Sequence, residues 1–361
     1  MNENPRVLMI CLTRRGGLLQ FNDCLAKSLS QILPVRVICA KNAQHDFDLD
    51  GVDLQTIDTG EGKKGTITKL FSSSTWEELR RLSEEFNPDI VHVTSAQEWN
   101  PKLGRFIKET LKKPLVYTVH DVVHHKGTPL YIRITESIFR RMPDAFVVLT
   151  EQAKSLLVEK GTPAEKILVV PHGVYDFTKY KSHLKPRNEI LFFGRISPYK
   201  GIGVLLDAAC PLTEEFPEWQ LIIAGDGDID PYLSKMVHEG VCVVNKFLET
   251  KEVGDYMSLS SIVVLPYLSA TQSGVIPIAF SFGKPVIATN VGGIPDMIKD
   301  NETGLLVPPN DVKALREGLR RLITDPELRK RLGEAGKRFA EENLGWDAIA
   351  QKHADFYKEL V

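Results

Sequence analysis

Cysteine is scarce in this chain: five residues in 361, Cys11, Cys24, Cys39, Cys210 and Cys242, each standing alone with no C-x-x-C pair. An odd count without ligand spacing signals neither a disulfide framework nor a zinc site, and it fits a reducing cytoplasm. Long apolar runs are also lacking. Nowhere do about 18 apolar residues stand together, and the opening "MNENPRVLMICL" has no signal-peptide shape, so the expectation is a chain that neither spans a membrane nor is exported. Charge of one sign is missing too: 45 Lys and Arg against 47 Asp and Glu give a net charge of −2. That balance argues against a broad nucleic-acid footprint, which needs clustered cations over one face. There is no low-complexity tract and no internal repeat.

What is present is an ordinary globular composition, 43% hydrophobic and 25% charged. At roughly 150 residues per domain, the length predicts two domains. Apolar runs rich in Val, Ile and Leu recur with helical patterns between them, the sign of parallel sheets covered on both faces. The fold class read this way is α/β. Strands are expected at 6–12, 35–40, 52–57, 89–94, 114–119, 145–150 and 167–171, with helices between them, for example 18–31 and 150–160. The polar stretch "TKYKSHLKPRN" (178–188) reads as a linker. Strands resume at 189–194, 219–225, 241–244, 261–266, 285–289 and 304–307. The domains expected are therefore 1–178 and 179–345, with a ligand cleft at the carboxyl ends of their strands. The final segment, 346–361, is expected to pack back on the first domain.

Several residues stand where chemistry would be placed. In "ILFFGRISPYKG" a strand ends at Gly194, and Arg195 and Lys200 flank the start of a helix whose amino end is partially positive. Two such cations suit a diphosphate; the alternative is a solvated turn. A second cradle is the loop after Pro266, with Thr271, Gln272, Ser273, Gly274 and Val275 at a helix start, where the alternative is a tight capped loop. Gly274 would clear a Cβ from a phosphate's path. Gly16 and Gly17 form a glycine-rich turn after the first strand, but without G-x-G-x-x-G spacing or a phosphate-binding Gly-Lys-Ser/Thr. Arg14 and Arg15 beside them could contact a phosphate or be solvated. His120 and Asp121 end a strand, where an imidazole can exchange a proton with a hydroxyl near neutral pH. His124 and His125 follow, but no ligand cluster accompanies them, so no metal is expected. Asp226 and Asp228 read as turn caps.

Taken together, the Gly16-Gly17 turn, "TVHD" (118–121), "VVPHGV" (169–174), "GRISPYKG" (194–201), "LIIAGDGD" (221–228) and "GKPVIATNVGGIPDMI" followed by "TGLLVPPND" resemble the retaining nucleotide-sugar glycosyltransferases of family GT4, the group 1 glycosyl transferases. The likeness covers nearly the whole chain. It implies the GT-B fold, two facing Rossmann-like domains with mostly parallel sheets and an interdomain cleft, the first taking the acceptor and the second the nucleotide-sugar. It further implies that Arg195 and Lys200 hold the donor diphosphate, that His120 lies near the donor sugar, and that Gly16 and Gly17 approach a phosphate or the acceptor. Gly194 and residues 271–275 would complete the donor site, while Asn245, Lys246 and Phe247 would border the base, although core packing is the preferred reading of Phe247.

One departure is clear. The two glutamates usual in the family fall at Ala270 and Ile278. The expected activity is metal-independent hexosyl transfer with retention, in glycan, polysaccharide or glycolipid synthesis, with no cofactor, a glycan or lipid-linked acceptor and no nucleic-acid partner. A non-catalytic binding subunit and a sugar-nucleotide epimerase are the alternatives. The expected location is cytoplasmic. The basic amphipathic segment 129–144 raises peripheral membrane contact, but burial against its own sheet is the preferred reading.

Overall fold

A computed structural model describes residues 4–45, 49–123, 129–175, 177–182 and 185–361. The apolar runs become strands of two wholly parallel sheets, and the chain divides into two units, residues 1–171 with 346–361, and residues 172–345. In unit 1 the strands are β1 (Val7–Cys11), β2 (Val35–Ala40), β3 (Asp53–Ile57), β4 (Ile90–Val93), β5 (Leu115–Val119), β6 (Ala145–Val148) and β7 (Ile167–Val169). Their order is β3-β2-β1-β4-β5-β6-β7. The helices are α1 (Gly17–Leu29), α2 (Gly62–Phe71), α3 (Ser73–Phe86), α4 (Asn100–Arg105), α5 (Leu130–Phe139) and α6 (Glu151–Glu159).

Alternation along β1 shows why a continuous apolar run is needed. Leu8 and Ile10 enter the core with Leu79, Leu82 and Phe86, whereas Val7 and Met9 enter the opposite core with Phe21, Leu25 and Leu29. Both faces are dry, so neither set can be polar.

Unit 2 repeats the plan with β8 (Glu189–Phe193), β9 (Gln220–Ala224), β10 (Val241–Val244), β11 (Ile262–Leu265), β12 (Val286–Thr289) and β13 (Leu305–Val307). Its order is β10-β9-β8-β11-β12-β13. The helices are α7 (Ile202–Glu215), α8 (Leu233–Met236), α9 (Thr250–Leu259), α10 (Val275–Ser281), α11 (Val312–Thr324) and α12 (Pro326–Asn343). In each sheet the order reverses once, between β1 and β4 and between β8 and β11. Loops leaving the carboxyl ends of strands on either side of a reversal diverge and leave a crevice, the usual ligand position in open α/β sheets.

The unit boundary precedes the expected 178/179 position. Tyr175 and Phe177 are already buried, and the Val174 amide donates to the Leu344 carbonyl, so "HGVYDF" belongs to unit 2 before the polar stretch begins. Helix α5 also differs from expectation. Leu130, Ile134 and Ile138 are 68%, 51% and 42% exposed, while Glu136 and Phe139 are the buried positions. Glu136 is acceptable there because it pairs with Arg140 at 2.5 Å and accepts from the Tyr117 hydroxyl at 3.3 Å.

The last helix, α13 (Trp346–Glu359), completes unit 1 and buries Ile349, Ala354 and Tyr357 in the core that also holds Phe21 and Leu25. It brings a dry polar cluster with it. The two ring nitrogens of His92 are 2.6 Å from the Tyr357 hydroxyl and 2.7 Å from the Thr118 hydroxyl, and His353 Nδ1 donates to the Ile349 carbonyl at 2.8 Å. Burial holds the His92 pKa well below its usual 6.5 and pushes that of His353 down to about 4. Both rings are therefore neutral when folded, and the unfolded chain binds more protons as pH falls below 6.5. Stability should be full above about pH 6.5 and decline toward pH 4, by about 1.4 kcal/mol per pH unit for each histidine. Urea unfolding across that range checks this, and His353→Gln should flatten the slope by about one histidine's share.

Candidate active site

At the β8/β11 reversal, two of the segments singled out from the sequence are locked together by backbone. Gly201 caps α7 with φ 72°, and a Cβ there would overlap the Pro266 carbonyl oxygen. The Leu268 amide donates to the Tyr199 carbonyl at 2.7 Å. On the other side, Cβ atoms at Gly225 and Gly227 would overlap the carbonyl oxygens of Gly194 and Ile196, and Ile196 donates to the Asp226 carbonyl at 2.8 Å. The "GRISPYKG" loop is thus pinned between the ends of β9 and β11.

Arg195 is exposed on this loop and Lys200 is half-buried. Among the described residues neither side chain pairs with a carboxylate. Lys200 is instead seated on aromatic rings, its Nζ 3.6 Å from the Tyr267 ring centroid and 5.2 Å from that of Tyr199. A ring quadrupole holds an ammonium without neutralising it, contributing about 0.5–2 kcal/mol, so the charge stays available to an anion. Tyr267 is itself fully buried and sits 3.2 Å by its hydroxyl from Ser273 Oγ.

The loop after β11 is organised inward as well. Ser273 Oγ accepts from the Val275 amide at 3.3 Å, and Thr271 is buried. Gln272 Oε1 and, in the neighbouring loop, Ser197 Oγ are buried without a partner among the described residues. A Cβ at Gly274, the glycine expected to clear a phosphate's path, would lie 3.2 Å from His172 Nε2, so His172 also favours a small residue there. His172 is fixed by the Tyr175 hydroxyl at 3.0 Å and by the Gly173 carbonyl at 2.9 Å from Nδ1. Ala270 and Ile278 are buried, at 7% and 4% exposure. Of the residues expected near a base, Asn245 uses both ends of its amide on Gly227, at 3.1 and 3.2 Å, and Lys246 pairs with Glu252 at 2.5 Å. Phe247 is 43% exposed and so is not a core residue.

In unit 1, His120 follows β5 and is nearly buried. Its Nε2 donates to the Thr94 carbonyl at 3.0 Å, and its ring stands edge-on to Phe21 at 5.0 Å. Burial lowers its pKa, so the ring is neutral with Nδ1 as the acceptor nitrogen. Gly16 and Gly17 begin α1, with nothing within 4 Å of either added Cβ. Arg14 is not a free phosphate ligand: its guanidinium donates to the Thr59 and Gly60 carbonyls and to Thr66 Oγ1. His124 and His125 lie outside the described residues. Among the described residues no three His, Cys, Asp or Glu side chains group as metal ligands. Asp228 Oδ1 accepts from the Asp230 amide at 3.1 Å, a turn cap.

Two parallel-sheet Rossmann-like units are the architecture of the GT-B fold, and comparison with known proteins makes the family assignment specific. Residues 16–176 match Glycosyltransferase Family 4 and residues 176–339 match Glycosyl transferases group 1. An uncharacterized glycosyltransferase of Methanocaldococcus jannaschii is 32% identical over 263 residues, covering 72% of each chain. Sucrose-phosphate synthase from Thermosynechococcus elongatus shares the fold at a TM-score of 0.80, with 19% identity over 99% of each chain. Anabaena HepE in complex with UDP-glucose does so at 0.77, with 17% identity over 99% of this chain and 100% of that one. The chain belongs to the family 4, group 1 glycosyltransferases and is a glycosyltransferase of that family.

The pinned loop yields a test. Gly201→Ala adds both a left-handed backbone cost of about 1 kcal/mol and a clash with the Pro266 carbonyl, whereas Gly16→Ala, at φ 82° and ψ −171° with open space around it, adds a backbone cost of about 1–3 kcal/mol and no clash. Thermal unfolding should show Gly201→Ala losing several degrees more than Gly16→Ala.

Proposed function

We propose that the protein moves a sugar from a nucleotide-sugar donor to an acceptor hydroxyl, with retention of anomeric configuration and without a metal ion. The observation that carries this is the pair Arg195 and Lys200, two cations without carboxylate partners among the described residues, held on a pinned loop at the β8/β11 reversal. A diphosphate satisfies both, bidentately at the guanidinium. The UDP-glucose in the HepE complex supports the same class of donor here.

As the bond from the anomeric carbon to phosphate oxygen breaks, charge builds on the departing diphosphate, and the two cations act where it builds. With Ala270 and Ile278 in the glutamate positions, those sites supply no carboxylate nucleophile. The reading is a front-side displacement: the acceptor oxygen bonds to the anomeric carbon on the face that the phosphate leaves, and its proton passes to the leaving phosphate. His120 Nδ1, unprotonated, accepts from a sugar hydroxyl rather than donating. Gly16 and Gly17 leave room for close approach of substrate.

At about 4 Å and an effective dielectric of about 20, each cation–phosphate pair amounts to about 4 kcal/mol, or nearly three orders of magnitude when realised in the transition state. Arg195→Ala and Lys200→Ala should each lower kcat/KM by about a hundred- to a thousand-fold, Arg195→Ala with unchanged melting temperature and Lys200→Ala with a loss of a few degrees at most for its contact with the Tyr267 ring. Donor turnover, read by mass spectrometry of a nucleotide-sugar panel, measures this; wild-type turnover in both variants overturns the phosphate role.

A second observation supports a lipid-linked acceptor met at a membrane surface. Leu130, Ile134 and Ile138 on α5 are exposed beside Arg133 and Arg141, an arrangement suited to an anionic bilayer, while no helix among the described residues is long and apolar enough to cross one. Ile134→Asp should reduce co-sedimentation with phosphatidylglycerol vesicles several-fold. Equal sedimentation would remove the membrane contact and leave the transferase reading intact.

A further inference from the structure

Two neighbouring residues of α1 hold His120. Phe21, fully buried, stands edge-on to the imidazole, with ring centroids 5.0 Å apart and planes at 88°. Asn22, also buried, accepts through Oδ1 from the Thr94 hydroxyl at 2.9 Å, and the Thr94 carbonyl accepts from His120 Nε2 at 3.0 Å. Phe21 meets a second aromatic edge. Trp346, the first residue of α13, lies 5.3 Å from it with the planes at 73°. Trp346 is where the chain returns to unit 1 after residues 172–345, and Asp347 beside it accepts from the Ser28 hydroxyl at 3.0 Å, so α13 also grips α1 by a polar contact. Edge-to-face ring pairs constrain angle as well as distance. With its hydrogen-bond partner and its ring neighbour both prescribed by α1, the imidazole has little freedom to turn.

We propose that Phe21 and Trp346 are positioning residues for His120: the line Trp346–Phe21–His120 sets the angle of the imidazole and keeps water from it. The inference rests on the transferase reading above, in which His120 Nδ1 accepts from a sugar hydroxyl, and adds two residues to it. A plain core role for both rings predicts only lost stability when they are cut back. A positioning role predicts a change in the imidazole itself. The charged and titratable groups that act on His120 are Asp121, Glu136 with its partner Arg140, and His92, and none of them changes when Phe21 or Trp346 is replaced. Burial holds the His120 pKa below its usual 6.5. Admitting water along the aromatic line therefore raises it, and protonation turns Nδ1 from an acceptor into a donor at a higher pH than before.

Proton–nitrogen spectra of histidine-labelled protein, with the His120 signals assigned by their loss in His120→Gln, follow the imidazole directly, and donor turnover is read beside them. Phe21→Leu and Trp346→Leu each remove a ring and keep an apolar side chain; Trp346 is only half-buried, so its replacement leaves the core in place. In both variants the His120 titration should move up by about half a pH unit, the acid limb of kcat/KM with it, and kcat/KM near neutral pH should fall about tenfold. Trp346→Phe, which retains an aromatic edge, should keep the wild-type titration and rate. In a His120→Gln background Trp346→Leu should cost no further activity, since the two changes act through one group. A lower melting temperature with an unmoved His120 titration in both leucine variants overturns the proposal, as does full additivity of Trp346→Leu with His120→Gln. A shifted titration in a protein that turns over no donor supports the positioning contact and sinks the transferase reading instead.

Discussion

The contact on which the donor-side geometry depends is between two pieces of backbone, Gly201 against the Pro266 carbonyl. No side chain fits between them, and the left-handed φ of 72° at Gly201 turns the chain from the end of β8 into α7 at that point. Once this approach is fixed, Tyr199 and Leu268 join through a backbone hydrogen bond, and Lys200 falls onto the Tyr267 ring. Tyr267 in turn reaches Ser273, and its carbonyl accepts from Thr289 Oγ1 at 2.5 Å. A line of contacts therefore runs from β8 through β11 to β12, and the cation at its start cannot be repositioned without disturbing the sheet edge.

How a cation is seated separates its two uses in this protein. Arg36 is held by Asp53 at 2.6 Å and Arg140 by Glu136 at 2.5 Å, and both are buried or nearly so. Lys284, the lysine of "GKPVIAT", donates to the Ser258 and Ser260 carbonyls at 2.8 and 2.7 Å, with burial pushing its pKa down to about 8. It precedes β12 and thus lies at the amino edge of the sheet, closing the end of α9. Those charges are met internally and serve the fold. Lys200 is held by aromatic faces and Arg195 projects from its loop, so their charge is met by nothing among the described residues.

Strands were legible because a sheet buried on both faces requires an unbroken apolar run, a purely local signal. The reversal of strand order was not local, yet the residues marked by chemistry, Arg195, Lys200 and the 271–275 loop, fall beside it. What could not be read was contact at long sequence separation. Gly274 is small for His172, about a hundred residues earlier, and Asn245 is occupied by Gly227. Likewise the periodicity of α5 shows an apolar face but not which side meets the sheet; the Glu136–Arg140 pair lets the polar side turn inward. Tyr267 carried no motif at all, and only the burial of its ring marks it.

The missing glutamates acquire a physical meaning in this setting. Ile278 lies in α10 beside Ile276, Ala279 and Phe280, all fully buried, and Ala270 is nearly so. A carboxylate at either place would be desolvated among apolar neighbours, at a cost unless it was paired. At the same time Gln272 Oε1 and Ser197 Oγ remain buried and unpartnered on the two loops that carry the site. A buried polar atom left without a partner costs about 1–3 kcal/mol. The fixed positive charge at Arg195 and Lys200 is the ionic feature of these loops, since Ala270 and Ile278 bring no carboxylate to them.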